Sequence, residues 1–74
     1  MFDLEQFCAR LKQLRVNLGW NQETAAGKLF VSSDTLSRWE RGIRPPSCED
    51  LARICDLFGV SPNWMLLGEG ADET

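Results

Sequence analysis

The sequence predicts an all-α fold in which five short helices surround a single core. Apolar residues recur every three or four positions in several stretches, which is the period of an amphipathic helix, and no stretch alternates as a β-strand would. A polar residue suited to capping precedes each helical stretch, and a glycine follows most of them. With 74 residues, the chain has room for one domain, which we place at residues 1–68.

The first helix is predicted from Leu4 to Leu18. Asp3 can accept hydrogen bonds from the free N–H groups of the first turn, and Gly19 can adopt the left-handed conformation that often ends a helix. One face carries the apolar residues at helical spacing, namely Leu4, Phe7, Cys8, Leu11, Leu14 and Leu18. This face is therefore expected to be buried.

The second and third helices are predicted to meet at a short turn. Asn21 caps the second helix, Gln22–Leu29, although Gly27 inside it costs about 1 kcal/mol relative to alanine. Ser32 caps the third helix, which ends at Gly42. The inner face of the pair is formed by Ala26, Val31, Leu36 and Trp39. Two helices joined in this way form a helix-turn-helix unit, whose second helix can enter the major groove of DNA.

The last two helices follow an extended connector at residues 43–46, where two prolines disfavour helix. Ser47 and Asp50 form a capping-box pattern at the start of the fourth helix, which Gly59 ends. Its buried stripe is Leu51, Ile54, Cys55 and Phe58. Ser61 and the proline after it open the fifth helix. Residues 69–74 are expected to form a flexible acidic tail.

Composition argues against several classes of protein. Histidine is absent and the three cysteines form no C-x-x-C pair, so neither a zinc site nor a disulfide framework is indicated, and we expect no cofactor. We expect Cys8 and Cys55 to act as small buried hydrophobes. The chain also lacks a phosphate-binding loop and a paired-carboxylate motif, so we do not expect an enzyme, and no small-molecule ligand is evident. No apolar run approaches the roughly 18–20 residues that span a bilayer. We therefore expect no membrane partner and a cytoplasmic location.

The net charge of −3 hides an uneven distribution. Residues 10–44 carry seven basic and three acidic side chains, a net charge of +4, whereas residues 45–74 carry one basic and six acidic side chains, a net charge of −5. Because screening limits each charge to a reach of about 10 Å, a locally basic face can attract a nucleic acid even on an acidic protein. Charge alone is equally compatible with an ordinary solvated surface.

The outward side of the third helix carries polar residues at helical spacing: Ser33, Asp34, Ser37 and Arg38. Arg38 can donate two hydrogen bonds to O6 and N7 of guanine, and Asp34 can accept one from the amino group of cytosine. Alternatively, Asp34 forms an i,i+4 ion pair with Arg38 and stabilises the start of the helix. Both interpretations of Asp34 stay open, and they are compatible with each other.

Several segments in order resemble the phage repressor/Cro-type (XRE-like) family of helix-turn-helix domains. They are Gln22–Ala26, Val31–Ser32, Leu36–Gly42 and Pro46–Ser47, followed by LARICDLFGVSPNWMLLGEG at residues 51–70. The resemblance covers roughly residues 4–68. It implies a compact, lambda-repressor-like five-helix domain that binds operator DNA, usually as a homodimer on a two-fold site.

The resemblance also implies roles for individual residues. Ser33, Asp34, Ser37 and Arg38 correspond to positions that approach base edges. Contacts to backbone phosphates are expected from Gln22, Ser32, Thr35, Arg41 and Arg44. Arg15 and Glu40 match a buried ion pair that ties the first helix to the end of the third. For a two-fold contact, the apolar residues of the fifth helix are the candidates: Trp64, Met65, Leu66 and Leu67.

This sequence departs from the family pattern at three positions near the turn, one of which is Gly27 inside the second helix. Phe30 stands where the family prefers glycine, at a position that often needs a positive φ, and a bulky residue there is strained by about 1 kcal/mol or more. Ala25 replaces a larger apolar residue, and we expect Trp20 or Phe30 to fill the space beside it.

The function expected from these observations is sequence-specific binding of double-stranded DNA by a transcriptional regulator, of the phage or prophage repressor type. Such a protein would be bacterial or phage-encoded and associated with the nucleoid. One alternative is the DNA-binding antitoxin of a toxin–antitoxin pair. Another is a protein–protein adaptor that kept the fold, which the acidic pI of about 4.7 favours.

Overall fold

The computed structural model describes residues 2–68, and this part of the chain contains five α-helices and no β-strand. The helices are α1 (Leu4–Asn17), α2 (Gln22–Lys28), α3 (Ser33–Glu40), α4 (Cys48–Phe58) and α5 (Pro62–Leu67). The all-α prediction is confirmed, and every predicted helix end lies within two residues of the observed one. The predicted tail at residues 69–74 lies outside the described residues.

The start of every one of these helices is capped by the side chain that the sequence predicts. The caps are Asp3, Asn21, Ser32, Ser47 and Ser61, and each accepts a hydrogen bond from a backbone N–H in the first turn. At Ser47 the capping box is complete, because the Asp50 carboxylate also accepts from the Ser47 backbone N–H. A capping side chain of this kind stabilises a helix by about 1 kcal/mol, so local sequence determines where each helix begins.

The turn between α2 and α3 contains the only non-glycine residue in the described part of the chain with a positive φ. Phe30 has φ +62°, as predicted for this position, and its ring is 81% exposed. Of the two residues expected to fill the space beside Ala25, Phe30 does not do so, because its side chain is exposed to solvent. Trp20 packs against the core and lies 5.8 Å, between ring centroids, from Phe58.

Every one of the five helices contributes at least one residue to the core, and Leu29, which follows α2, also belongs to it. Its fully buried large side chains are Phe7, Leu11, Leu29, Leu36, Ile54 and Met65. Helix α1 packs against α3 and α5, α2 packs against α3, and α4 packs against α5. The packing of α2 on α3, and of α3 on α1, holds the two helices of the turn at a fixed angle. Leu18, predicted on the inner face of the first helix, is instead half exposed, because α1 ends one residue earlier and Leu18 caps it.

Cys8 and Cys55 are buried in this core, as predicted, and Cys48 is exposed. Burial raises the pKa of the Cys8 and Cys55 thiols above the ordinary value of 9.0. Both thiols therefore stay protonated near neutral pH and pack as apolar groups. Among residues 2–68, none of the helices has the length and apolarity that crossing a bilayer requires.

Candidate nucleic-acid interface

Helix α3 is anchored by its inner side and presents its other side to solvent. Leu36 and Trp39 are almost completely buried, whereas Ser33, Asp34 and Arg38 are exposed. The division follows from the helical period, since residues three and four apart lie on one face. The structure thus brings three of the four predicted base-reading residues together on one open surface. The fourth, Ser37, is half-buried at its edge.

Asp34 and Arg38 form an ion pair on this surface. Arg38 Nη2 lies 3.0 Å from Asp34 Oδ2, and the two side chains are 53% and 67% exposed, respectively. An exposed i,i+4 pair of this kind is worth only a few tenths of a kcal/mol. A guanidinium has five N–H donors, so pairing with Asp34 leaves donors free to meet a base edge.

Arg41 lies beside Ser37 at the end of α3. Its Nε donates to the Ser37 hydroxyl at 3.2 Å and to the Ser37 carbonyl oxygen at 3.4 Å. The Ser37 hydroxyl oxygen therefore accepts one hydrogen bond within the domain, while its O–H can still donate to a base. Arg41 itself is exposed, and both of these contacts use only its Nε.

Two of the predicted phosphate contacts, Ser32 and Thr35, are engaged with each other at the start of α3. The Ser32 hydroxyl accepts from the Thr35 backbone N–H at 3.1 Å, and the two hydroxyls lie 2.9 Å apart. Ser32 therefore has a structural role as the helix cap. Its exposed position is still compatible with a second contact to a phosphate.

A polar cleft of about 360 Å³ separates α3 from the start of α4. Its lining consists of Thr35, Arg38 and Trp39 from α3, Arg44 and Pro45 from the connector, and Ser47 and Asp50 from the start of α4. The two guanidinium groups thus flank the same depression, next to the exposed surface of α3. Arg38 and Arg44 favour a phosphate group there, and the one carboxylate of the lining, Asp50, is paired with Arg53.

A buried polar network joins α1, α2 and α3. Arg15 forms the ion pair with Glu40 that the resemblance implies, with Nε 2.8 Å from Oε2 and Nη2 3.1 Å from Oε1. The Arg15 Nη1 donates to the carbonyl oxygen of Trp20 at 2.8 Å, and Gln22 Nε2 donates to Glu40 Oε1 at 3.1 Å. We call these four residues the Glu40 network. Sequence reasoning missed the contacts of Trp20 and Gln22, because neither residue has a recognisable spacing relation to its partner.

The predicted two-fold contact on α5 needs a correction. Met65 is completely buried inside the domain, so it cannot contact a second molecule. Trp64 and Leu66 are half-buried against the core, and Leu67 is 43% exposed. Helix α5 is attached to α1 by Arg10, whose Nε donates to the Met65 carbonyl oxygen at 2.9 Å and whose guanidinium lies 6.0 Å from the Trp64 ring centroid.

Nothing in residues 2–68 places three His, Cys, Asp or Glu side chains close enough to hold a metal ion. What this surface offers chemically is hydrogen-bond donors, a few acceptors and positive charge. These are the groups that contact base edges and phosphates.

Comparisons with known proteins concern the family and the fold. Residues 6–64 match the family model described as a helix-turn-helix domain. The HTH-type transcriptional regulator ImmR of Bacillus subtilis is 38% identical over 64 residues, and the HTH-type transcriptional activator BcrR of Enterococcus faecalis is also 38% identical over 64. Each alignment covers 86% of this chain but only 48% of ImmR and 31% of BcrR. The chain therefore spans about half or less of the length of these curated relatives.

Among solved structures, the P22 c2 repressor in complex with a synthetic operator is similar to this chain. The TM-score is 0.81 at 27% sequence identity, and the match covers 85% of this chain and 96% of that one. The similarity therefore extends over nearly all of the helices described above.

Proposed function

Because this chain belongs to the helix-turn-helix domain family, we propose that it is a sequence-specific transcriptional regulator that reads the major groove of double-stranded DNA with α3. The observation that carries the proposal is the exposed row of Ser33, Asp34 and Arg38 on a helix whose opposite side is firmly buried. A rigid, protruding helix with polar groups on its outer face is what a major groove accommodates. The similarity to an operator-bound repressor supports the same proposal.

Within this proposal, Arg38 reads a guanine and Asp34 holds the guanidinium in position for it. The 3.0 Å ion pair supports this arrangement, since it restricts an otherwise flexible side chain on the exposed face. Asp34 also repels phosphates, so it disfavours docking in registers that lack a matching base pair. Ser33 and Ser37 make less specific contacts, Ser37 from beneath the Arg41 side chain.

The remaining contacts go to the sugar-phosphate backbone. Arg41 and Arg44 lie after the exposed row of α3 and on the far side of the cleft, where one DNA strand would pass. Ser32 and Thr35 are neutral donors at the start of α3, and Gln22 is a neutral donor whose amide contacts Glu40 at the end of that helix. Each arginine–phosphate contact steepens the dependence of the binding constant on salt by about one unit, whereas the neutral donors leave that dependence unchanged.

The proposed active form is a homodimer on a two-fold operator, acting as a repressor in the bacterial or phage-infected cytoplasm, on the nucleoid. Leu67, with the exposed edges of Trp64 and Leu66, is the apolar surface proposed for the two-fold contact. A small domain with a modest core gains stability from such a contact.

The proposal is tested by selecting bound duplexes from a random DNA library with the 74-residue protein. We expect enrichment of one motif with two-fold symmetry and half-sites about one helical turn apart, near 10 base pairs. The control is Asp34→Arg, which keeps the fold but replaces an acceptor with a donor and should enrich a different motif or none. Failure of the unchanged protein to enrich any motif would contradict the proposal and favour the adaptor alternative.

A further inference from the structure

Glu40 is the most deeply buried charged group in the described part of the chain that contacts the proposed interface. Its side chain is 3% exposed, and its two carboxylate oxygens accept from Arg15 on α1 and from Gln22 on α2. Glu40 itself is the last residue of α3. One carboxylate therefore joins the helix proposed to read bases to the first residue of the helix before it.

The contact with Glu40 fixes the orientation of the Gln22 amide. A carboxylate can only accept hydrogen bonds, so the NH₂ end of the amide must face Glu40 and the carbonyl end must point elsewhere. The NH₂ group has two N–H donors, and the 3.1 Å contact uses one of them. Gln22 is only half-buried, and its NH₂ group makes no second hydrogen bond among residues 2–68, so one N–H is available to a ligand.

Glu40 is itself held rigidly. Arg15 donates to its carboxylate from Nε and Nη2. The third nitrogen of the same guanidinium, Nη1, donates to the Trp20 carbonyl oxygen at 2.8 Å. A two-point contact between a guanidinium and a carboxylate restricts both groups to one geometry. The support for Gln22 is thus a fixed frame and not a second mobile side chain.

We propose that Glu40 is a positioning residue that orients the Gln22 amide, so that its free N–H meets one particular phosphate of the bound DNA. This inference rests on the proposed function. It adds that the register of the protein along the backbone is set partly by a buried carboxylate that never touches the DNA. Without Glu40, the Gln22 side chain must lose rotamer freedom on binding, which lowers affinity roughly 3- to 10-fold.

The experiment replaces single phosphates of the selected operator, one at a time, by uncharged methylphosphonates and measures the affinity of each duplex. For the unchanged protein, one replacement near α2 should reduce the affinity several-fold. The same replacement should have no effect with Gln22→Met, which keeps the side-chain length and removes the donors. It should also have a smaller effect with Glu40→Gln, because the one remaining acceptor oxygen must serve three N–H donors of Arg15 and Gln22 and holds the Gln22 amide less firmly. An unchanged sensitivity in Glu40→Gln would overturn the proposal.

Glu40→Gln also weakens the contact with Arg15, so its folded fraction is checked by circular dichroism, and a second measurement needs no variant. In the free protein, the side-chain amide of Gln22 should have an NMR order parameter near that of rigid backbone, about 0.85, whereas exposed Gln6 should fall below about 0.6. A Gln22 amide as mobile as that of Gln6 would overturn the proposal. If no operator is selected at all, the proposed function fails instead, and the two failures are distinguishable.

Discussion

At the scale of single residues, Phe30 departs furthest from local conformational preference. Its φ of +62° is the geometry expected for the position, and this is predictable because the chain must reverse between two helices there. The direction of the ring was not predictable, since it depends on how α2 and α3 approach each other. An exposed ring gains little from burial, so most of the strain at this position is uncompensated.

Phe30→Asn should therefore stabilise the protein. Asparagine tolerates the left-handed region better than phenylalanine does, and we expect a gain of about 1 kcal/mol in the free energy of unfolding, or a rise in Tm of about 4–8 °C. Thermal unfolding followed by circular dichroism measures the change. The matched control is Ile43→Asn, another exposed apolar residue but with a negative φ, which should give no gain. A lower Tm for Phe30→Asn would mean that the ring packs against something.

The outer face of α3 gives a second prediction at the residue scale. Arg38→Ala should relax the base preference at one position of the operator and cost about 1–3 kcal/mol against the best site. Arg41→Ala should weaken binding to all sequences alike and reduce the salt dependence by about one unit. Affinities for the operator and for its single-base variants, each at several salt concentrations, separate the two effects.

Arg53→Ala is the matched control for these variants. Arg53 is a half-buried arginine of α4 with an i,i+4 acidic partner, Glu49, and a second partner, Asp50, and it does not line the cleft between Arg38 and Arg44. Its loss should leave both affinity and base preference unchanged. Equal weakening by Arg38→Ala and Arg53→Ala would show that only net charge matters and would contradict base reading by Arg38.

At the scale of helices, most of the structure could be predicted because each start signal acts within three residues. All the caps and the Asp34–Arg38 pair depend on short, regular spacings. The contact of Gln22 with Glu40 could not be predicted, because the two residues are 18 apart and meet only through the packing of α2 on α3. The candidate surface on α3 was thus predictable, and the network that supports it was not.

Helix α2 carries an internal weakness that leads to a third prediction. Gly27 is exposed, has a negative φ, and a Cβ added there would meet no atom within 4 Å. Gly27→Ala should therefore stabilise the protein by about 0.8–1.0 kcal/mol, the difference in helix propensity. Denaturant unfolding measures this gain.

Gly59→Ala provides the comparison, since a Cβ there also meets nothing but φ is +69°. It should destabilise by about 1 kcal/mol because alanine is strained in the left-handed region. The opposite signs isolate the backbone effect from any change in packing. A loss of stability in Gly27→Ala would show that α2 needs a flexible residue at this point.

At the scale of the whole molecule, the basic side chains and the apolar residue proposed for the two-fold contact lie in different parts of the chain. The basic side chains cluster in residues 10–44, while Leu67 lies on α5 at the end of the described chain. An acidic overall composition therefore does not contradict a locally basic binding face. Composition could not reveal which apolar residues of α5 face inward, since that depends on how α5 docks on α1.

The proposed two-fold contact gives the fourth prediction. Leu67→Glu should shift the protein from dimer to monomer in sedimentation at high micromolar concentration, because a charge in an apolar contact is costly. Helix content should not change, since Leu67 is outside the core. Val16→Glu, at a similarly exposed apolar residue on α1, should leave the dimer intact. A monomeric unchanged protein under these conditions would contradict the proposed dimer.

The self-capped helix starts also bear on how fast the domain forms. Each capping contact closes a loop of only two or three residues, as in Asn21 with the Thr24 N–H and Ser61 with the Trp64 N–H. Ordering such short loops needs little conformational search, so nascent helices can appear in the collapsed chain before distant segments meet. Refolding after a temperature jump should accordingly finish within microseconds to milliseconds, the range of helical domains dominated by local contacts.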